Sequence, residues 1–274
     1  MIPSECNTFL NKLLFLLGIL LSCSFEALAD RQDADGQYTD LLSSIPEPMV
    51  FDLVRPLGAR QGELEINALV LFPLRDRGRT RSFRDTDGTI KDTDTERIDW
   101  APEIEYAVWD DFALEFELPF EDEKLVAYKF AYQWTFGAVL NDTVIHGSQG
   151  IAEYNRFTEV TELTLLYLTG IVISPEWNML TMFGVRGEAG GQVERSPLEM
   201  LINATIFYIL DDIHSFGLEL NIATTFSEGE NSVLIMPQWG VELSEHWSIQ
   251  TGLGAQISDE RTLPLASSRL IWTY

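Results

Sequence analysis

The sequence predicts an all-β fold, a transmembrane antiparallel up-and-down β-barrel of about twelve strands, and three observations predict it. Apolar and polar side chains alternate at period two in segment after segment, the apolar faces are heavily aromatic, and short turn signals alternate with longer polar connections. The pattern is cleanest from Trp100 to Phe136. Ile104, Tyr106 and Val108 alternate with Glu103, Glu105 and Ala107; after Asp110 and Asp111, Phe112, Leu114, Phe116 and Leu118 alternate with Ala113, Glu115 and Glu117. Tyr128, Phe130, Tyr132, Trp134 and Phe136 then share a face opposite Lys129, Ala131, Gln133 and Thr135. A face this apolar has to be covered by a second sheet, as in a soluble sandwich, or by lipid.

Taken in order, residues 1–29 read as a secretory signal peptide: Lys12, an apolar run from Leu13 to Leu21, and Ala27-Leu28-Ala29 as the cleavage site. The run is too short to span a bilayer as a helix. Leu20-Leu21-Ser22-Cys23 is a rival cleavage signal, which would leave Cys23 lipidated. Cleavage after Ala29 removes both cysteines, Cys6 and Cys23, so that backbone pairing and packing alone must hold the remainder. It also takes one base and two acids from a net charge of −25, leaving −24. A surface so acidic excludes nucleic acid as a partner.

Residues 30–61 form the second unit, a mobile periplasmic lead-in or a plug. Asp30 to Glu47 is polar and without period, whereas Met49 to Leu57 is apolar enough for a short strand, a lead-in or a segment entering the lumen. The barrel unit is 62–274. It opens with Leu64, Ile66, Ala68, Val70 and Phe72 opposite Glu63, Glu65 and Asn67, followed by a charged connection from Arg75 to Arg97 that reads as a solvated loop.

Strands are expected near 62–73, 97–109, 112–119, 124–138, 143–148, 156–173, 178–189, 199–210, 214–226, 232–243, 246–257 and 265–274, with boundary errors of about two to four residues. Short turns at Leu140-Asn141-Asp142, Ser174-Pro175-Glu176, Asp211-Asp212 and Ser244-Glu245-His246 then share one end, and the longer connections, one of them His146 to Tyr154, share the other. That arrangement predicts a periplasmic turn end and an extracellular loop end.

The leader, the alternating hairpins and the closing Leu270-x-Trp272-x-Tyr274 resemble a Gram-negative outer-membrane β-barrel. The resemblance implies outer-membrane localisation after export through the periplasm, lipid as a partner, and recognition of the last strand by the barrel-assembly machinery. Within that class, the hairpin from Glu103 to Phe120, closing in Leu118-Pro119-Phe120, is similar to the outer-membrane transporters grouped with the MetA pathway of phenol degradation. This narrower likeness implies transport of a small solute, hydrophobic compounds included.

The inward faces hold the candidate functional residues. Glu103, Glu105, Glu115, Glu117, Lys129, Gln133, Arg186, Glu188, Glu219 and Arg269 are expected to line the lumen, because a charge facing lipid at the midplane costs roughly 2–4 kcal/mol. Two uses fit them: a cation-preferring pore, with the four crowded glutamates compensated by Lys129, Arg186 or a passing cation, or a closed barrel packed by internal ion pairs. A third class is enzymatic. His146-Gly147-Ser148-Gln149-Gly150 resembles the His-x-Ser-Asn-Gly segment of outer-membrane phospholipase A, which implies His146 as base and Ser148 as nucleophile. Gln149 departs from that pattern, and a stretch so rich in glycine reads as a loop, so no enzyme is expected. His146, His214 and His246 sit in predicted loops or turns without partners at ligand spacing. The Asp85, Asp87, Asp92 and Asp94 tract lacks an EF-hand register, so neither metal nor cofactor is expected.

Overall fold

The computed structural model describes residues 45–51, 53–74, 81–84, 90–93, 98–140, 143–189, 198–226, 231–258 and 262–274. The expected signal peptide at 1–29, Asp30 to Ser44 and the side chains of the 75–97 connection lie outside the described residues. The strands in chain order are β1 (Leu64–Pro73), β2 (Arg81–Arg84), β3 (Ile90–Thr93), β4 (Asp99–Trp109), β5 (Phe112–Glu117), β6 (Phe120–Glu121), β7 (Lys124–Leu125) and β8 (Ala127–Val139). They continue as β9 (Val144–Asn155), β10 (Thr161–Val172), β11 (Trp177–Ala189), β12 (Glu199–Ile209), β13 (His214–Thr225), β14 (Asn231–Glu242), β15 (Trp247–Ser258) and β16 (Thr262–Thr273).

Twelve of these close a single antiparallel barrel in which each strand pairs with its neighbours in the chain and β1 joins β16 on one side to β4 on the other. The short β2–β3 hairpin stands apart, while β6 and β7 extend β4 beyond β5. Closure leaves no barrel edge, so strand N–H and C=O groups find partners without water, which is what a bilayer demands. A twelve-residue strand such as β10 rises about 40 Å along its axis, or about 28 Å when tilted by about 45°, matching the hydrocarbon thickness.

The alternation sets which face goes where. On β4 and β5 the ladder pairs Glu103 with Glu117 and Glu105 with Glu115, and it pairs Ile104 with Phe116 and Tyr106 with Leu114. The glutamates are all buried inside, whereas Phe130, its partner across from Phe116, is 58% exposed on the outer face. Aromatic rings gather at the two rims. Trp109, Trp177, Trp239, Trp247 and Trp272 lie toward the short turns, and Trp100 stacks on Phe120 at 4.3 Å toward the long connections. Amphipathic rings belong at those two levels of a membrane-embedded barrel.

The short turns fall at one end, as the spacing requires. Asp111 adopts a left-handed φ of 67° in the two-residue link between β4 and β5, a conformation aspartate tolerates better than most residues. The Asp211 carboxylate accepts the backbone N–H groups of Ile213 at 2.9 Å and His214 at 2.7 Å, folding the link into β13 as an Asx turn.

One region differs from its sequence reading. The stretch His146 to Tyr154 is not a loop but the body of β9, which pairs along its length with β8 and β10, and the connection to β10 shrinks to residues 156–160. Glycine content misled because glycine here makes room for rings. A Cβ on Gly150 would stand 2.3 Å from the Tyr132 ring that covers it from β8.

Candidate functional site: a strapped lumen

The lumen has two walls of opposite character. On β1, β4, β5, β8 and β16 the inward residues include the charged and polar Glu65, Asn67, Glu103, Glu105, Glu115, Glu117, Gln133 and Arg269, with alanines between them. On β9 to β12 Ile145, Leu166, Leu168, Leu180, Met182, Leu201 and Phe207 form one buried apolar cluster, with Gln149, Asn178, Asn203 and Thr205 buried on the same face. Period two dictates both walls; what differs is the chemistry of the inward residue.

Residues 45–62 run between these walls and form a strap across the lumen. At the turn end it is tied down by Asp111 N–H to Ala59 C=O at 2.7 Å and Gly62 N–H to Ala107 C=O at 2.9 Å. Its apolar side chains, Ile45, Leu53 and Leu57, pack into the cluster on β9 to β12, and Val54 meets Ala107, Ala113 and Ala131. Its polar groups turn to the charged wall. Arg55 donates to Glu65 at 2.6 Å and to Glu63 at 3.4 Å and lies 4.0 Å from Glu105; Gln133 Nε2 donates to the Arg55 carbonyl at 2.5 Å. The fully buried Arg269 reaches the Pro48 carbonyl at 3.2 Å, Glu47 at 3.2 Å and Glu103 at 3.4 Å. Opposite it, Glu219 accepts the backbone N–H groups of Met49 at 2.9 Å, Val50 at 3.1 Å and Phe51 at 2.9 Å. A buried carboxylate met by three backbone donors is among the stronger uncharged arrangements available to it.

Eight of the ten expected lumen residues therefore join one site or its margins. Glu103, Glu105, Glu115 and Glu117 stack in two ladder pairs, Lys129 bridges Glu115 at 3.1 Å and also bonds Glu117, and Gln133, Arg269 and Glu219 hold the strap. Arg186 does not compensate the glutamate cluster. It pairs instead with Glu199 at 2.6 Å and Glu162 at 3.5 Å near the loop end of β11, where Glu188 is exposed. The cations among the cluster are Lys129, Arg269 and the strap's own Arg55. Sequence reasoning missed Arg55 and Glu47; an arginine within the largely apolar Met49 to Leu57 was the available signal, while Glu47 closes the polar stretch before it.

Charge in the lumen is unbalanced. Among the described residues, seven carboxylates (Glu47, Glu63, Glu65, Glu103, Glu105, Glu115 and Glu117) lie within 4.0 Å of only three cations. Two trios, Glu47 with Glu65 and Glu105, and Glu103 with Glu105 and Glu115, bring carboxylate oxygens within 4.8 Å of one another, the spacing a metal ion would need. Arg55, Arg269 and Lys129 already stand among those oxygens.

On the outer face, His146 and Ser148 project from the same side of β9, as the phospholipase resemblance requires. The His146 ring sits between Phe136 and Tyr167, and the Tyr167 hydroxyl bonds its Nδ1 at 2.9 Å. Its Nε2 makes no hydrogen bond, so the Ser148 hydroxyl is not held by the base that would activate it.

A closed twelve-strand barrel with apolar outer face and charged interior has the fold of an outer-membrane channel. Solved structures agree: the COG4313 outer membrane channel from Pseudomonas putida F1 matches with a TM-score of 0.57 at 10% identity, over 80% of this chain and 98% of that one. The KdgM porin matches with a TM-score of 0.55 at 8% identity, over 77% and 99%; its complex with disordered oligogalacturonate gives 0.51 at 8%, over 77% and 98%. The chain belongs to the HAEPLYID-like family, whose model matches residues 44–273. No curated protein matches it.

Proposed function

We propose that this protein is an outer-membrane channel for small solutes that prefers cations, with its conducting path narrowed by the 45–62 strap. The observation that carries the reading is the surplus of carboxylates over Arg55, Arg269 and Lys129 around the lumen. A narrow path lined by more acids than cations concentrates cations and repels anions, the principle by which acidic rings select ions. The sign also separates this chain from the KdgM porin, which has been captured with an oligogalacturonate, a polyanion. The MetA-like hairpin at 103–120 and the apolar wall of β9 to β12 together support passage of solutes with hydrophobic parts.

Reconstitution in planar bilayers tests the proposal. Under a KCl gradient the reversal potential of the parent is expected on the cation side, and exchanging Glu115 and Glu117 for Gln, which removes two carboxylates beside Lys129, is expected to move it toward zero or beyond. An anion-side potential in the parent, or one unchanged in the variant, contradicts the reading, and a barrel that never conducts is a closed structural one. Phospholipid hydrolysis is the second reading, favoured only by the shared outward face of His146 and Ser148. Activity lost in Ser148→Ala would support it.

A further inference from the structure

Glu219 stands on β13 between two apolar surfaces. On one side is the β9 to β12 cluster, whose nearest member on β12 is Phe207, two residues beyond Thr205; on the other is a smaller group, Leu234, Met236 and Leu265. Its ladder neighbours are Thr205 and Met236. The carboxylate is completely buried, and from the wall itself Asn221 Nδ2 donates to it at 2.7 Å. Three more donors come from the strap.

The strap thus fills this position as a ligand would. Phe51 gives its N–H to Glu219 while its ring packs against the larger apolar cluster, and Val50 gives its N–H to the same carboxylate while packing against the smaller one. The N–H, Cα, Cβ and ring of Phe51 have the connectivity of an arylethylamine. Backbone N–H groups here stand in for the donors of an ammonium, and the Phe51 ring for an aromatic body. When the strap moves, a carboxylate beside apolar surfaces loses three donors, and leaving it so is unfavourable unless water or a cation replaces them. A small inorganic cation supplies charge but leaves the flanking apolar surface wet; an anion is repelled; a neutral aromatic leaves the carboxylate unmatched.

We infer that Glu219 and its two apolar flanks form a binding site for amphipathic organic cations of the arylalkylammonium class, which take the place of strap residues 49–51 on their way through the lumen. The inference rests on the channel reading. It adds a solute class and a residue, Glu219, that lies outside the Glu103, Glu105, Glu115 and Glu117 cluster.

The test is interference with the potassium current of the reconstituted full chain by four probes: 2-phenylethylammonium, ethylammonium, 2-phenylethanol and 3-phenylpropionate. Phenylethylammonium is expected to reduce the current at a concentration about tenfold lower than any of the others, the size of effect expected of one charge-assisted hydrogen bond. Glu219→Gln should shift that concentration up by about the same factor, and Glu219→Asp should restore part of it. Gel mobility before and after heating verifies that both variants fold. Equal potency among the four probes, or a Glu219→Gln variant with the parent's sensitivity, overturns the inference while a potassium current keeps the channel reading standing. Absence of any potassium current removes both.

Discussion

Phe130 and Gln133 lie three residues apart on β8 and face opposite media. Phe130 is mostly exposed on the outer surface; Gln133 is buried inside with its amide on the Arg55 carbonyl. Phe130→Arg would set a guanidinium against lipid at a cost of roughly 2–4 kcal/mol, so the heat-modifiable folded band should be reduced or lost. Gln133→Arg should still assemble. It replaces the amide that donates to the strap and places a second cation beside Arg55, so its expected effect is a looser strap and a larger current, read in the same bilayer assay. At this scale the sequence was informative, because period two states the face of every strand residue. It said nothing of what Glu219 bonds, since a backbone N–H from residues 168 to 170 positions away leaves no trace in side-chain type.

Turns and the glycine-rich strand belong to the scale of the element. The two backbone N–H groups on Asp211 hold its carboxyl below the usual carboxylate range. A folded-state pKa depressed in this way gives stability that is complete above the unfolded value, about 3.9, and fades as pH falls through the lower folded value. Asp211→Ala should therefore unfold at a lower temperature than the parent near neutral pH, with the gap closing in strong acid; a gap independent of pH contradicts the Asx turn. Elements with alternating apolar and charged residues were legible almost to their ends. β9 was not, because Gly150 answers to the Tyr132 ring and Gly147 to the backbone of Trp134 and Thr135 on β8, rather than to any period of their own. A polar, glycine-rich segment looks like a loop until its neighbours are known.

The whole molecule couples a barrel legible in sequence to a strap that the sequence left as one alternative among three, a segment entering the lumen. The even strand count, the closure of β16 on β1 and the acid-lined interior follow from patterning and from the expense of facing charge to lipid. That residues 45–62 cross the lumen follows from two surfaces created only by closure: an apolar wall that Leu53 and Leu57 cover, and a charged wall where Arg55 finds Glu65. The central claim, that the lumen conducts and the strap narrows it, is tested most directly by single-channel conductance of the parent against Arg55→Ala. Removing one partner of a buried ion pair loosens what it held, by about 3–5 kcal/mol in fully dry surroundings and less in a wet lumen. The account predicts a severalfold larger unit conductance in Arg55→Ala, with a stronger cation preference because a positive charge has left the path; equal conductance in two folded barrels, or none in either, would contradict it.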